Sequence, residues 1–294
     1  MHPTILYMEY YTHDIDPTLI KVGFIQIRYY GLMYLTGFIA AFYYFRFRYR
    51  RGWFSLNSEE VQDLFTYHML GMMIGARLAY VFIYNWEQYQ NNLLEIFYIW
   101  QGGLSFHGAA VGFIIAMLLY SRKYSIGFWH LADHVATVSS LGVFFGRIGN
   151  FTNGELWGRP TDVPWAVIFP AAGAQPRHPS QLYQSLIEGL AVFLILILID
   201  WRERKKYLHV NETKNKFNVS WERTGIVASS WLILYGTGRF IIEYFREPDP
   251  QLGYYLGHFS MGQILCSIMI VAGMYLLLIN IRNKKPETYS IPNS

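Results

Sequence analysis

The sequence predicts an all-α, polytopic membrane protein with about seven transmembrane helices, forming a single domain over residues 1–294. Apolar residues make up 53% of the chain and aromatic residues 18%, but charged residues only 15%, against about 25% in a typical soluble domain. Seven stretches supply the roughly 20 mostly apolar residues that a helix needs to cross a bilayer. They cover approximately residues 27–45, 64–84, 104–120, 128–145, 182–201, 226–242 and 261–281.

Basic residues give these stretches an orientation. Sixteen of the 24 lysines and arginines form four clusters, which follow the first, third, fifth and seventh stretch. Because cytoplasmic loops carry the excess of basic residues, the C-terminus is predicted to be cytoplasmic and the N-terminus outside. The clusters are Arg46, Arg48, Arg50 and Arg51; Arg122 and Lys123; Arg202, Arg204, Lys205, Lys206, Lys214, Lys216 and Arg223; and Arg282, Lys284 and Lys285.

Two segments on the predicted outer side are expected to be ordered. Residues 85–103 contain no lysine or arginine and are expected to include a short interfacial helix around residues 93–100. Residues 147–179 contain five prolines and are expected to form an outer-face lid or head, because long loops of this kind tend to be functional. The N-terminal segment has no basic region typical of a cleaved signal peptide, and the single cysteine, Cys266, excludes an intrachain disulfide.

Five arginines in apolar or glycine-rich stretches are the main indication of function. A guanidinium in or beside hydrocarbon needs a partner such as a carboxylate, a carbonyl or a phosphate, and its planar fork suits phosphate. With a rise of about 1.5 Å per residue, the arginines within spans lie towards the outer ends, which predicts a site for anionic lipid headgroups at the outer leaflet. The five are Arg77, Arg147, Arg177, Arg239 and Arg246.

The densest motif leaves the fourth stretch, over residues 146–160. It interleaves Arg147 and the polar side chains Asn150, Asn153 and Glu155 with glycines that include Gly158. Glycine allows close approach of the backbone to a ligand, so the motif is a candidate headgroup site. A helix C-cap followed by an Asn/Gly turn is the simpler alternative.

Two aromatic residues near predicted outer helix ends are further candidates. His107 lies one turn into the third stretch, where an imidazole can act as a general base because its pKa is near working pH; the alternative is a packing role. Tyr30 opens the first stretch, although tyrosines are also common at membrane interfaces. Asp133 and His134, nearer the cytoplasm, are expected to be structural.

The fifth and sixth stretches contribute the remaining candidates. Gln181 follows Arg177 in a motif whose Ser180 could simply cap the next helix. Tyr235 precedes Arg239 and Glu243, which are four residues apart and could pair on one helix face. Small-residue spacings predict close helix packing at Gly71–Gly75, Gly108–Gly112 and Gly142–Gly146.

Several classes of site are not expected. The nine histidines are scattered without the spacing that zinc ligands need, so neither a metal nor another cofactor is predicted. A serine-hydrolase motif is absent, and no nucleic-acid partner is expected.

Taken in order, these motifs resemble bacterial prolipoprotein diacylglyceryl transferases (phosphatidylglycerol:prolipoprotein diacylglyceryl transferases). The resemblance runs from residues 30–34 through Arg77, His107, the Arg147 motif and residues 177–183 to residues 239–249 and 260–265. Thr152 and Ala109 are conservative departures from the family pattern. The resemblance implies a multi-pass enzyme of the bacterial cytoplasmic (inner) membrane, with its active site towards the periplasmic side.

The resemblance also implies a reaction and its partners. Phosphatidylglycerol, a membrane lipid, would donate its diacylglyceryl group to the lipobox cysteine in the signal peptide of a preprolipoprotein, and glycerol phosphate would leave. His107 would be the base, with Glu243 or Tyr30 as alternatives. Arg147 and Arg239 would stabilise the departing phosphate, and Tyr30 would donate to phosphate or position His107. Substrate binding is assigned to Arg147 as well, together with Asn150, Asn153, Glu155, Gly158, Gln181, Arg77, Arg177, Tyr235, Glu243 and Arg246.

Two other classes of function remain open at this point. A transporter for an anionic lipid or solute would need polar residues continuing to the cytoplasmic side and usually shows repeat symmetry, and the sequence shows no fixed-period repeat. A binding protein without chemistry would leave His107 and the glycine-rich motifs unexplained.

Overall fold

A computed structural model describes residues 9–22, 25–208, 225–247, 254–255 and 259–282. The described chain is mostly helical, which confirms the predicted helical class. Some residues used to predict orientation or family lie outside the described residues: Lys214, Lys216, Arg223, Asp249, Lys284 and Lys285.

Every predicted span lies in helix except at two starts: residues 27–28 are strand, and residues 104–105 precede a helix. The fifth is one continuous helical run, from Ser180 to Leu208, made of α6, a π-helical segment and α7. The α-helices of the described residues are α1 (Tyr29–Arg50), α2 (Ser58–Ala79), α3 (Trp86–Tyr89), α4 (Phe106–Lys123), α5 (Phe128–Thr152), α6 (Ser180–Gln184), α7 (Val192–Leu208), α8 (Ile226–Ile242) and α9 (Met261–Arg282).

Among the described residues, π-helical segments extend two of the α-helices, and 3₁₀ helices occur in two of the loops. π-Helical segments, Tyr80–Tyr84 and Ser185–Ala191, continue α2 and α6. The expected interfacial helix around residues 93–100 consists of two short 3₁₀ helices, Leu93–Phe97 and Ile99–Gln101, and a third 3₁₀ helix covers Pro170–Ala172.

Short strands flank the helices. β1 (Tyr11–Thr12) pairs in parallel with β4 (Val167–Ile168), which pairs antiparallel with β5 (Pro176–Arg177). This three-stranded sheet joins the N-terminal segment to the predicted head. Two antiparallel pairs complete the described strands: β2 (Thr18–Val22) with β3 (Ile25–Arg28), and β6 (Tyr254–Tyr255) with β7 (Phe259–Ser260).

The chain forms two compact units. The first comprises residues 1–41 and 133–294, and the second residues 42–132. In the second unit, α2 and α4 pack antiparallel, as two hydrogen bonds at opposite ends of the pair show. Tyr120 Oη donates to Glu60 O at 2.7 Å at one end, and Ser105 N donates to Ala76 O at 3.0 Å at the other.

Glycines bring the backbones of α2 and α4 into contact. A Cβ added at Gly75 would lie 2.3 Å from Gly108 O, and one added at Gly112 would lie 2.1 Å from Gly71 O. The predicted close packing at these four glycines is therefore confirmed.

The corresponding prediction for Gly142 and Gly146 on α5 has weaker support than the one for α2 and α4. A Cβ at Gly142 would meet nothing within 4 Å, and one at Gly146 would meet only the ring of Tyr34, at 3.9 Å. The backbone of α1 nevertheless approaches α5 here, because a Cβ added at Gly37 would lie 3.8 Å from Gly142 Cα. The spacing alone did not indicate that α1 is the neighbour.

In the first unit, Asp133 organises one end of a helix cluster. Its carboxylate accepts hydrogen bonds of 2.7 Å from the backbone N–H groups of Gly225 and Ala228, at the start of α8. Asn280, near the end of α9, donates to Gly225 O at 3.1 Å. These contacts support the structural role predicted for Asp133, and burial of Cys266 (6% exposed) agrees with its predicted core position.

Length and composition identify two helical runs among the described residues as able to cross a membrane, Ser180–Arg204 and Met261–Arg282. The shorter apolar helix Ile226–Ile242 accompanies them.

Candidate active site

The Arg147 motif begins inside a helix. α5 continues to Thr152, beyond the predicted end at residue 145, so Arg147 and Asn150 lie on its last turns. The chain then reverses at Gly154, whose φ of +63° favours glycine, and Glu155 N donates to Asn150 O at 3.1 Å. This reversal brings the Glu155 carboxylate back to the helix end.

A hydrogen-bonded network joins the polar side chains of this motif. Asn150 Nδ2 donates to Glu155 Oε1 at 2.8 Å, and Arg147 Nη1 donates to Asn150 Oδ1 at 3.4 Å. Asn153 Nδ2 also donates to Glu155 Oε1, at 3.4 Å, while the fully buried Gln181 donates to the Glu155 carbonyl at 2.7 Å. The network orients the Asn150 amide, with its nitrogen towards Glu155 and its oxygen towards Arg147.

Arg239 lies between two carboxylates. Its Nη2 is 3.0 Å from Glu243 Oε2, which confirms the predicted i, i+4 pair, and its Nη1 is 3.8 Å from Glu188 Oε1. Glu243 is also 3.9 Å from Arg246 Nη1 and accepts a hydrogen bond of 3.1 Å from Ser260 Oγ. The α8 C-terminus is thus a cluster of paired charges.

Two tyrosines of the predicted site are packed against helices. Tyr30 Oη donates to Tyr34 Oη at 3.0 Å, and a Cβ at Gly149 would lie 3.0 Å from the Tyr30 ring. Tyr30 therefore sits against the turn of α5 that carries the Arg147 motif. Tyr235 stacks on Trp231, with ring centroids 5.1 Å apart.

Gly158 and Arg177 tie the predicted head to the end of α8. Arg177 Nη1 donates to Glu247 at 2.8 Å and to the Gly158 carbonyl at 3.1 Å. A Cβ at Gly158 would lie 2.5 Å from Phe245 O, so a larger residue would not fit. Burial lowers the pKa of the neighbouring His178, which favours the neutral ring beside Tyr183 Oη, 3.2 Å from its Nδ1.

In the second unit, the guanidinium of Arg77 is hydrogen-bonded to backbone carbonyl groups. Its guanidinium donates to five carbonyl oxygens at 2.6–3.5 Å, lies over the ring of Tyr89 and leaves the residue only 5% exposed. The carbonyls belong to Glu95, Ile96, Tyr98, Gly102 and Gly103. The side chain organises the loop before α4.

His107 lies in the first turn of α4, after the N-cap Ser105, whose Oγ accepts from Gly108 N at 3.2 Å. The imidazole is exposed, and its Nδ1 is 3.5 Å from Tyr84 Oη. A bound group can therefore reach the ring.

Sequence reasoning left Glu188, Gln184 and His13 out of the site. Glu188 and Gln184 are fully buried on the fifth predicted span, and a polar residue inside an apolar span was the available signal. His13 Nε2 donates to the Phe151 carbonyl at 2.7 Å, and a Cβ added at Gly154 would lie 3.2 Å from the His13 ring; no local pattern indicated this contact. Within the described residues, no three metal-ligating side chains gather into a cluster.

Comparison with known proteins agrees with the motif order. Residues 17–279 match the family model described as prolipoprotein diacylglyceryl transferase. The chain belongs to the prolipoprotein diacylglyceryl transferase family. The resemblance noted from its motifs is thereby confirmed.

Individual relatives cover nearly the whole chain. A phosphatidylglycerol--prolipoprotein diacylglyceryl transferase of Geobacter sulfurreducens is 42% identical over 270 residues, which is 92% of this chain and 97% of the relative. Proteins of the same name from Aeromonas hydrophila (43% identical; 94% of this chain, 93% of the relative) and Vibrio vulnificus (44%; 90% and 91%) match similarly. This chain therefore spans essentially the full length of these transferases.

Proposed function

We propose that this protein is a membrane-bound transferase that moves the diacylglyceryl group of phosphatidylglycerol to the lipobox cysteine of a preprolipoprotein. The name shared by relatives that align over about nine-tenths of the chain supports donor and acceptor. The Arg147–Asn150–Glu155 network is the structural observation that carries the proposal, because it presents a guanidinium and an oriented amide beside a reversing backbone.

The reaction exchanges one bond for another. The cysteine sulfur attacks a glycerol carbon of the lipid, forming a C–S bond, while the C–O bond to phosphate breaks and its electron pair leaves on glycerol phosphate. The thiol proton is released. A thiol ionises near pKa 8.5, so a nearby base increases the fraction of nucleophile.

The side chains have separate roles in this proposal. His107 accepts the thiol proton, because its ring is exposed at a helix start. Arg147 and Arg239 stabilise the charge that grows on the departing phosphate, which preorganised donors do most effectively in a dry site. Asn150, Asn153, Glu155 and Gln181 orient the glycerol headgroup.

The membrane arrangement is part of the same proposal. Seven helices cross the bacterial inner membrane with the N-terminus outside, residues 147–179 form a head on the periplasmic side, and the reaction takes place at the outer leaflet. The alternation of helix directions within each unit supports this arrangement, since Asp133, Gly225 and Asn280 meet at one end of α5, α8 and α9.

The test is incubation of purified protein with phosphatidylglycerol and a peptide containing a lipobox cysteine, followed by mass spectrometry. A diacylglyceryl mass gain on the cysteine is expected, with no gain from phosphatidylethanolamine alone. Arg147→Ala should abolish the product, whereas Arg122→Ala, at an exposed position at the end of α4, should not. A folded protein that forms no adduct in any lipid mixture contradicts the proposal, and near-normal turnover of His107→Gln rejects its assigned role.

A further inference from the structure

Glu188 is a carboxylate buried inside the fifth predicted span. It is 0% exposed, and the polar side chains that act on its carboxylate are those of Gln184, Arg239, Arg147 and Arg246. Burial of a carboxylate without compensation is costly, and an ionisable group at membrane depth points to a functional partner. Among these side chains Arg239 forms an ion pair with Glu188, with Nη1 3.8 Å from Oε1.

A π-helical segment places Glu188 there. Within Ser185–Ala191 the helix is seated on α5, because Ser185 Oγ donates to Phe144 O at 2.9 Å. A Cβ at Gly189 would lie 2.6 Å from the Phe144 Cα, so the two backbones are in direct contact one turn before Arg147. π-Helical turns of this kind are frequently found at functional sites.

The sixth predicted span accommodates Glu188 from its other side. A Cβ at Gly238 would lie 3.3 Å from the Ile187 side chain and 3.7 Å from Glu188 Cγ, so glycine leaves room for the two side chains. Arg239 follows directly. Its Nη1 faces Glu188 while its Nη2 faces Glu243, and the two contacts together hold the plane of the guanidinium.

We propose that Glu188 is a positioning residue for the transfer reaction, holding one terminal nitrogen of Arg239 while Glu243 holds the other, and competing with the departing phosphate for that guanidinium. This inference rests on the proposed function. A phosphate at Arg239 brings a second anion close to a buried carboxylate, where like charges repel strongly. Glu188 therefore orients Arg239 for the transition state and weakens retention of the anionic product.

The variant that tests this role is Glu188→Gln, which keeps the shape and removes the charge. Turnover is expected to fall about tenfold, since small misplacements of a catalytic group are costly. Glycerol phosphate should inhibit the variant at a lower concentration than it inhibits the wild-type protein. A purely structural defect would not tighten product binding. The matched control is Asp200→Asn, which removes the charge from a partly buried ion pair with Arg204, at 2.8 Å, on the same helical run. This variant should leave product inhibition unchanged.

A double-mutant cycle separates positioning from general damage. In an Arg239→Lys background, Glu188→Gln is expected to change turnover and product inhibition no further, because coupled residues are non-additive. Where turnover is too slow to measure, the thermal shift produced by glycerol phosphate gives the same comparison. Effects that multiply independently, or a Glu188→Gln protein matching the unchanged one in both readouts, overturn the inference. A fully inactive unchanged protein that still shows the coupled thermal shift contradicts the proposed function instead.

Discussion

Arg77 and Arg147 show how one residue type serves two purposes in this chain. Arg77 donates to five backbone carbonyls, whereas the described hydrogen bond of Arg147 is a single contact of 3.4 Å to Asn150. An arginine saturated by carbonyls has little capacity left for a phosphate. Of the two, Arg147 is the better candidate for substrate contact, and Arg77 is better understood as a clamp on the loop before α4.

The clamp can be tested with Arg77→Met. The loop carbonyls would lose their charged donor, at a cost of at least about 2 kcal/mol for hydrogen bonds of this kind. Amide hydrogen exchange over residues 93–105 should accelerate, and the thermal midpoint should fall. Arg122→Met, on an exposed position of α4, is the control and should change neither. Unchanged exchange in the Arg77 variant would show that the loop is held by other contacts.

Asn150 is expected to be sensitive to a change of one atom. Asn150→Asp replaces the amide that donates to Glu155 at 2.8 Å by a second carboxylate, and adjacent carboxylates repel. We expect kcat/KM for the lipid to fall about 100-fold, comparable to the loss of a preorganised donor.

Thr152→Ser, which retains the hydroxyl bonded to Gly149 O at 2.9 Å, controls for disturbance of the same helix end and should stay near the unchanged rate. If the kcat/KM of Asn150→Asp stays within about threefold of the wild-type value, the Asn150–Glu155 contact is dispensable.

At the scale of single elements, sequence patterns predicted the helices better than their irregularities. Apolar length placed α8 at Ile226–Ile242, as observed, and the Arg/Glu spacing predicted the pair between Arg239 and Glu243, also as observed. Within the π-helical segment at Ser185–Ala191, Gly189 lies against Phe144 of α5, about 45 residues away in sequence. A contact over that distance cannot be predicted from a local pattern. The five carbonyls around Arg77 likewise come from a distant loop, so the sequence indicated that a partner was needed but not which one.

The glycine contact between α2 and α4 gives a prediction for a whole element. Gly75→Ala would place a methyl group 2.3 Å from Gly108 O, so the helices must separate, at a cost of about 1–3 kcal/mol. The thermal midpoint in detergent should fall. Gly142→Ala, where a Cβ meets nothing within 4 Å, should instead be neutral or stabilise by about 0.5–1 kcal/mol, because alanine favours helix. Equal midpoints for the two variants would contradict close packing at Gly75.

Across the whole molecule, helix-end contacts agree with alternating spans within each unit. In the first unit, Glu155 contacts Gln181 where α6 begins, and Glu243 contacts Ser260 where α9 begins. In the second unit, Tyr120 and Glu60 join the end of α4 to the start of α2. These contacts show that α5 and α6, α8 and α9, and α2 and α4 run antiparallel. The proposed side of the membrane rests on the basic clusters.

Membrane sidedness can be measured with single cysteines in a Cys266→Ser background, Cys266 being buried. Asn91→Cys and Gln175→Cys, at exposed positions in the predicted outer loops, should react with a membrane-impermeant maleimide on intact cells. Arg122→Cys and Arg202→Cys, exposed at the ends of α4 and α7, should react only after permeabilisation, because the positive-inside rule places both in the cytoplasm. Labelling at position 122 or 202 in intact cells would show that the true arrangement is the inverse of the proposed one. The Arg147 motif lies at the opposite end of its helix from the basic clusters, so it would then face the cytoplasm and could not serve a periplasmic reaction.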